Sequence, residues 1–362
     1  MTDLRNAPGR LRGGSRPPGA PGSGTGGRRR VAALACVPLI ALAAAGCGQN
    51  GAGGGDASAV KYPTRTIQLM APAAPGGGWD STARALQKTL TDGKLVTESV
   101  EVTNVTGAGG TLGLSQLVTK NRGDAHHLMV TGLVMIGGVL TNKSPVNLGQ
   151  TTPIATLTAE QEVIVVPANS KYTTLQQLMA DAKANPGSIN WGGGSAGGTD
   201  QILVGLLAKA AGADPKAMKY VAYSGGGESK AALLSGDLTA AVSGASEYAD
   251  LVGGGQVRAL AVSGATAIDV GAGKPTPTIK ESGYDVELMN WRGLVAAPGI
   301  KDGERAAIIE LVDRLHASEQ WKQTLAAQKW DDFYRSGAEA EAFFAQESKR
   351  ITDVLTEIGL AG

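Results

Sequence analysis

From Lys61 onward, short apolar runs of strand length alternate with stretches of helical period, and glycine-rich loops join the two at three places. Such alternation favours an α/β fold with a mainly parallel sheet. Ile67 to Ala71 reads as a strand. A Pro/Gly loop follows, then a helix from about Ser81 with Ala83, Leu86 and Leu90 on one face. Leu128 to Thr131, Val163 to Val166, Tyr220 to Ala222, Ala240 to Val242 and Val257 to Val262 read as further strands, and Asn190-Trp191 ends another. Thr173-Thr174-Leu175-Gln176 reads as a capping box opening a helix that stops before Pro186. Ile202, Leu203, Leu206, Leu207 and Ala210 keep helical spacing, with Gly212 as the C-terminal cap. Residues 303 to 360 read as mostly helical.

A chain of 362 residues is too long for one ordinary domain. No Pro/Ser-rich linker divides the body, which fits two lobes whose chain crosses between them more than once. The expected division is residues 62–160 with 284–362 in one lobe and 161–283 in the other. Aromatic residues make up only 4%, so the cores must be built from Ala, Val, Leu and Ile. The net charge of +1 conceals an asymmetry: residues 1–46 hold seven arginines and one acid, leaving 26 basic and 31 acidic residues in the body. A mildly acidic body argues against nucleic acid as the partner.

The first 46 residues read as an address. Residues 1–27 are rich in Gly, Pro, Ser and Arg; Arg28, Arg29 and Arg30 make a positive start, and Val31 to Gly46 is an apolar run ending in small residues. Sixteen residues fall short of the roughly 20 that a membrane-spanning helix needs. Leu42-Ala43-Ala44-Ala45-Gly46-Cys47 resembles a bacterial lipoprotein processing site, which would make Cys47 the lipid-bearing first residue of the mature chain. Residues 47–60 read as the flexible linker behind it. The other cysteine, Cys36, lies in the apolar run, so the body has neither a disulfide nor a thiolate metal site.

The three loops run from strand to helix: Ala71 to Asp80, Trp191 to Asp200 and Tyr223 to Glu228. Their glycines let backbone N–H groups face outward and let a ligand come close. The helix that follows adds unpaired donors and the positive end of its dipole. Such a place binds a carboxylate or phosphate without lysine or arginine, and Ser195, Thr199 and Ser224 can add hydroxyls. Asp80 and Asp200 suit caps or first-turn acids. Gly107-Ala108-Gly109-Gly110-Thr111-Leu112-Gly113 lacks dinucleotide-binding spacing and reads as a structural turn.

Several stretches occur in order that together resemble a known family: Pro75-Gly76-Gly77-Gly78-Trp79-Asp80, Gly107-Ala108-Gly109-Gly110, Ser195-Ala196-Gly197-Gly198-Thr199, Tyr220 to Glu228, Arg258 to Val262 and Trp291-Arg292-Gly293-Leu294. The set is similar to the substrate-binding component of tripartite tricarboxylate transporters, the TctC or Bug family, and the resemblance runs from about Lys61 to the end. It implies a Venus-flytrap fold, no catalysis, no cofactor and no metal. It also implies a small carboxylate as ligand, citrate-like by the nearest branch, with membrane permease subunits as partners and a monomer held at the outer face of the cell membrane through Cys47. Carried over by position, Gly76, Gly77, Gly78 and Asp80 match the first ligand loop. Ser195, Ala196, Gly198 and Thr199 match the second, and Tyr223 and Ser243 match further contacts.

One alternative is an enzyme. Gly193-Gly194-Ser195-Ala196-Gly197 fits the G-x-S-x-G elbow of serine esterases. That chemistry needs a histidine base, and the order Ser, acid, His leaves only His316, in a stretch that reads as mid-helix. His126 and His127 are adjacent on a strand and point to opposite faces, which suits no metal site. Arg292 could reach a ligand carboxylate or form a salt bridge at the hinge.

Overall fold

The computed structural model describes residues 60–223 and 226–361. The leader, Cys47 and the linker as far as Ala59 lie outside the described residues, as do Ser224 and Gly225.

The chain first lays down β1 (Ile67–Ala71), α1 (Gly78–Asp92), β2 (Val100–Asn104), α2 (Thr111–Lys120), β3 (His127–Gly132) and α3 (Leu133–Thr141). β1 pairs in parallel with both β2 and β3, each strand followed by a helix. Ala83, Leu86 and Leu90 of α1 are all buried, as their spacing requires.

A single strand of 16 residues, β4 (Thr152–Pro167), then crosses the molecule. Its sequence shows only Val163 to Val166 as an apolar run, because its other buried apolar residues, Ile154, Ala155, Leu157 and Ala159, are interleaved with buried polar ones. Thr156, Thr158, Glu160, Gln161 and Glu162 are all buried. Buried polar groups need partners. Thr156 Oγ1 donates to the Phe333 carbonyl at 2.5 Å, and Gln161 bonds both the Gly264 N–H and the Thr266 carbonyl.

The next segments repeat the earlier plan: α4 (Leu175–Ala184), β5 (Asn190–Gly193), α5 (Thr199–Ala211), β6 (Lys219–Ala222), α6 (Gly226–Ser235), β7 (Ala240–Gly244), α7 (Ala245–Gly253) and β8 (Val257–Val262). β5 pairs in parallel with β6 and β7. The chain returns through β9 (Met289–Ala296), α8 (Asp302–Ala317), α9 (Glu319–Gln328), β10 (Asp331–Ser336) and α10 (Gly337–Glu357). Among the described residues the sheet runs β2-β1-β3-β9-β4-β7-β5-β6, with β8 and β10 also paired to β4.

The partners of β4 divide at one point. Thr152 to Gln161 pair with β9, whereas Glu162 to Val165 pair with β7. The C-terminal end of α10 reaches across: Ile358 is buried against Gly205 of α5, and Glu357 pairs with Lys209.

Two local expectations are corrected. The cap of α4 is Thr174, whose side chain accepts from the Gln177 N–H, one residue later than the sequence pattern suggested; Gln176 instead donates to the Ser282 carbonyl. The helical C-terminal segment is interrupted by β10, which pairs antiparallel with β4 after Lys329 ends α9 in the left-handed region.

Candidate functional site

A cavity of about 350 Å³ opens where the loops after β1, β2 and β5 converge with the ends of β6, β7 and β9. Its size falls within the range of small-molecule sites.

The first wall is the start of α1. Gly78 and Trp79 line the cavity, and helical geometry leaves their N–H groups without intrahelical acceptors. The loop is held from behind by Asp80. Its Oδ2 accepts from the Gly76 N–H at 2.8 Å and from Arg84 Nε at 2.9 Å, and its Oδ1 accepts from Asn104 at 2.9 Å. Burial alone would raise this carboxyl. The bonds from Arg84, Gly76 and Asn104 outweigh it and hold Asp80 below the usual carboxylate range.

The second wall is the start of α5. Gly194, Ser195 and Ala196 line the cavity, and Asp200 pins the loop by accepting from the Gly194 N–H at 2.6 Å. Tyr220 fixes the carbonyl of the same glycine at 2.9 Å. This loop lies directly on α3: Thr141 Oγ1 reaches the Ala196 carbonyl at 3.3 Å, and a Cβ on Gly137 would stand 1.7 Å from the Gly197 carbonyl oxygen. Only glycine allows that approach.

The third wall, Thr106 to Gly110, overlaps the stretch Gly107 to Gly113 that reads in the sequence as a structural turn. It is another strand-to-helix glycine loop, between β2 and α2, and that shared pattern was the signal that could have found it. Gly110 sits in the left-handed region, where a Cβ would strike the Trp79 ring at 2.5 Å. Asn142 of α3 ties this loop down through the Ala108 carbonyl.

The floor is charged. Arg292 of β9 and Glu160 of β4, both buried, pair at 2.9 Å. Glu160 also accepts from the Ser246 N–H and hydroxyl at the start of α7. Glu162 and Asp200 are buried close by, and Glu247 of α7 lines the cavity. Burial raises Asp200 to about 7, with the Gly194 N–H pulling down and the charge of Glu247 pushing up. Burial also lifts Glu162 well above the usual range, helped by Asp200 and Glu160. A floor that holds protons in this way repels an anion less than its count of acids suggests.

Six of the ten sequence-derived site residues line this one cavity: Gly77, Gly78, Ser195, Ala196, Tyr223 and Ser243. Gly76 and Asp80 stand behind the first loop. Gly198 and Thr199 stand behind the second, with Thr199 fully buried. Sequence reasoning did not place Glu247 or Asn290 here, and it left Arg292 undecided.

No histidine belongs to the cavity lining around Ser195. His316 is on α8, bonded to Asp332 at 2.9 Å and stacked on Tyr334. The esterase constellation is therefore not assembled among the described residues.

The family described as the tripartite tricarboxylate transporter family receptor matches residues 82–360. Protein BugT of Bordetella pertussis is 28% identical over 312 residues, covering 83% of this chain and 92% of BugT. MatC from Rhodopseudomonas palustris, solved with bound malate, superposes with a TM-score of 0.71 at 22% identity, over 81% of this chain and 100% of MatC. Another R. palustris protein, solved with adipate, gives 0.73 at 20% identity, over 83% and 99% of the two chains. These structures share the two-lobed α/β fold of solute-binding proteins. The chain belongs to the tripartite tricarboxylate transporter family of substrate-binding receptors, which bind rather than catalyse.

Proposed function

We propose that this receptor works outside the cytoplasm, captures a citrate-like tricarboxylate in its cleft and hands it to the permease subunits of a tripartite transporter. The observation that carries the reading is the convergence of two helix N-termini, those of α1 and α5, on one cavity of about 350 Å³. Backbone N–H groups at helix starts attract anions, and Ser195 adds a hydroxyl. The malate and adipate held by the two R. palustris relatives support a carboxylate as the class of ligand. In this reading Gly76, Gly77, Gly78, Asp80, Ser195, Ala196, Gly198, Thr199, Tyr223 and Ser243 form the site, those behind the loops acting by holding them.

The partner change of β4 at Gln161 and Glu162 supports a hinge there, dividing residues 62–160 with 284–362 from residues 161–283. A ligand touching both lobes favours the closed state by its differential affinity. Micromolar binding requires about −8 kcal/mol, within reach of several charge-assisted hydrogen bonds. Cys47, outside the described residues, would carry the lipid that holds a monomeric receptor at the outer face of the cell membrane.

A thermal-melting panel of citrate, malate, adipate and a neutral sugar tests the reading. A concentration-dependent rise with acids and none with the sugar is expected. A rise with the sugar alone would overturn it.

A further inference from the structure

Arg292 is a buried cation only half used by the protein. It is 3% exposed, lines the cavity and lies 5.3 Å from the Trp330 ring centroid. Its Nη2 donates to Glu160, but Nη1 is buried and meets no acceptor among the described residues. The guanidinium stands against the start of α1, since a Cβ on Gly78 would lie 2.6 Å from Nη2. A desolvated N–H of a cation without an acceptor is costly. The edge that faces Gly78 is the Nη2, Cζ and Nε side, so the positive charge of Arg292 adds to that of the α1 N-terminus, where an anion gathers.

Glu247 stands in the first turn of α7 and lines the same cavity. Its carboxyl is bonded to Ser243 and sits within the fields of Glu160, Arg292 and Lys230. Burial and Glu160 raise its pKa against the pull of Arg292 and Lys230. A carboxyl group there offers nothing to the carbon skeleton of a simple dicarboxylate. It can accept a hydrogen bond from a ligand hydroxyl, and when protonated it can donate one as well.

Resting on the carboxylate-receptor reading, we propose that Arg292 and Glu247 select 2-hydroxy carboxylates: the Arg292 guanidinium adds its charge to the α1 N-terminus where the carboxylate sits, and Glu247 takes the hydroxyl on the adjoining carbon.

Calorimetric titration with matched ligands tests this: citrate against tricarballylate, and malate against succinate. Each hydroxy acid should bind at least about tenfold tighter than its partner, the size of one hydrogen bond to a charged group. Glu247→Ala should bring the malate-to-succinate ratio close to one. Arg292→Lys should weaken malate and succinate by similar factors, because lysine keeps the charge but loses the fork. Equal binding of malate and succinate by the unaltered protein, or an unchanged ratio in Glu247→Ala, would overturn the inference and leave the carboxylate reading standing. Silence toward every acid would remove both. Glu247→Ala carries the test by itself if Arg292→Lys fails to fold.

Discussion

The loops after β1 and β5 are built alike, yet their aspartates are shifted in opposite directions. In each, a loop glycine N–H donates to an aspartate in the first turn of the next helix, Gly76 to Asp80 and Gly194 to Asp200. Asp80 also receives Arg84 and Asn104 and is held ionised below its usual range. Asp200 has no such cation. It is buried among Glu162 and Glu247 and is raised to about 7. One local motif thus gives two electrostatic outcomes, decided by what the fold packs behind it. The first loop presents N–H donors backed by a paired acid, whereas the second presents them over an acid that keeps its proton to higher pH.

The comparison breaks most severely at the contact only the second loop makes. Gly137→Ala would place a methyl group 1.7 Å from the Gly197 carbonyl and force the α5 loop off α3. Ligand affinity should fall about a hundredfold or more by calorimetry, the scale that displacing a binding loop by an ångström commands. The first loop has a softer neighbour. Gly78→Ala meets the Arg292 side chain, which can move only by straining its bond to Glu160. About a tenfold loss is expected, equivalent to some 1.4 kcal/mol.

Neutralising the two aspartates sharpens the contrast. Asp80→Asn should cost about 1–3 kcal/mol in urea unfolding at pH 7, as bonds made to a buried charge weaken. Asp200→Asn should change stability less, because an amide oxygen still accepts from Gly194 and a group raised to about 7 carries only part of its charge at that pH. The pH profiles should differ in sign. Between about pH 4 and 7 the folded chain keeps a proton on Asp200 that the unfolded chain has released, so this group makes stability fall as pH rises. Asp80 acts the other way: its contribution is present above its unfolded value and is lost as pH falls through its lowered folded value. Unfolding measured from pH 3 to 8 should therefore show a slope above pH 4 that Asp200→Asn flattens. It should also show an acidic limb that Asp80→Asn flattens.

The parts of the fold legible in the sequence were those where burial is apolar and local. Ile67–Ala71 and Val257–Val262 were read to the residue, and Gly212 caps α5 in the left-handed region as expected. β4 was legible only over its apolar end. Its remaining buried apolar residues are broken up by buried polar ones, such as Thr156 and Glu160, whose partners lie as far away as Phe333 and Arg292. β10 was hidden because its charged sequence pairs with β4 across more than 150 positions. Within the site, glycine loops announced themselves by their density. Glu247 and Asn290 could not, since a single polar residue in a helix or strand carries no sign of the cavity it faces. Arg292 offered two roles in the sequence, and the fold brings it both to Glu160 and to the cavity.

The most direct test of the account is calorimetric titration of citrate into the purified protein, freed of carried-over ligand by partial unfolding and refolding, with a neutral sugar as control. Saturable heat at about one citrate per chain, abolished in Gly137→Ala, is the predicted result. No heat from citrate, malate or adipate with a correctly folded protein would contradict the central claim that two helix N-termini converge here to hold a carboxylate.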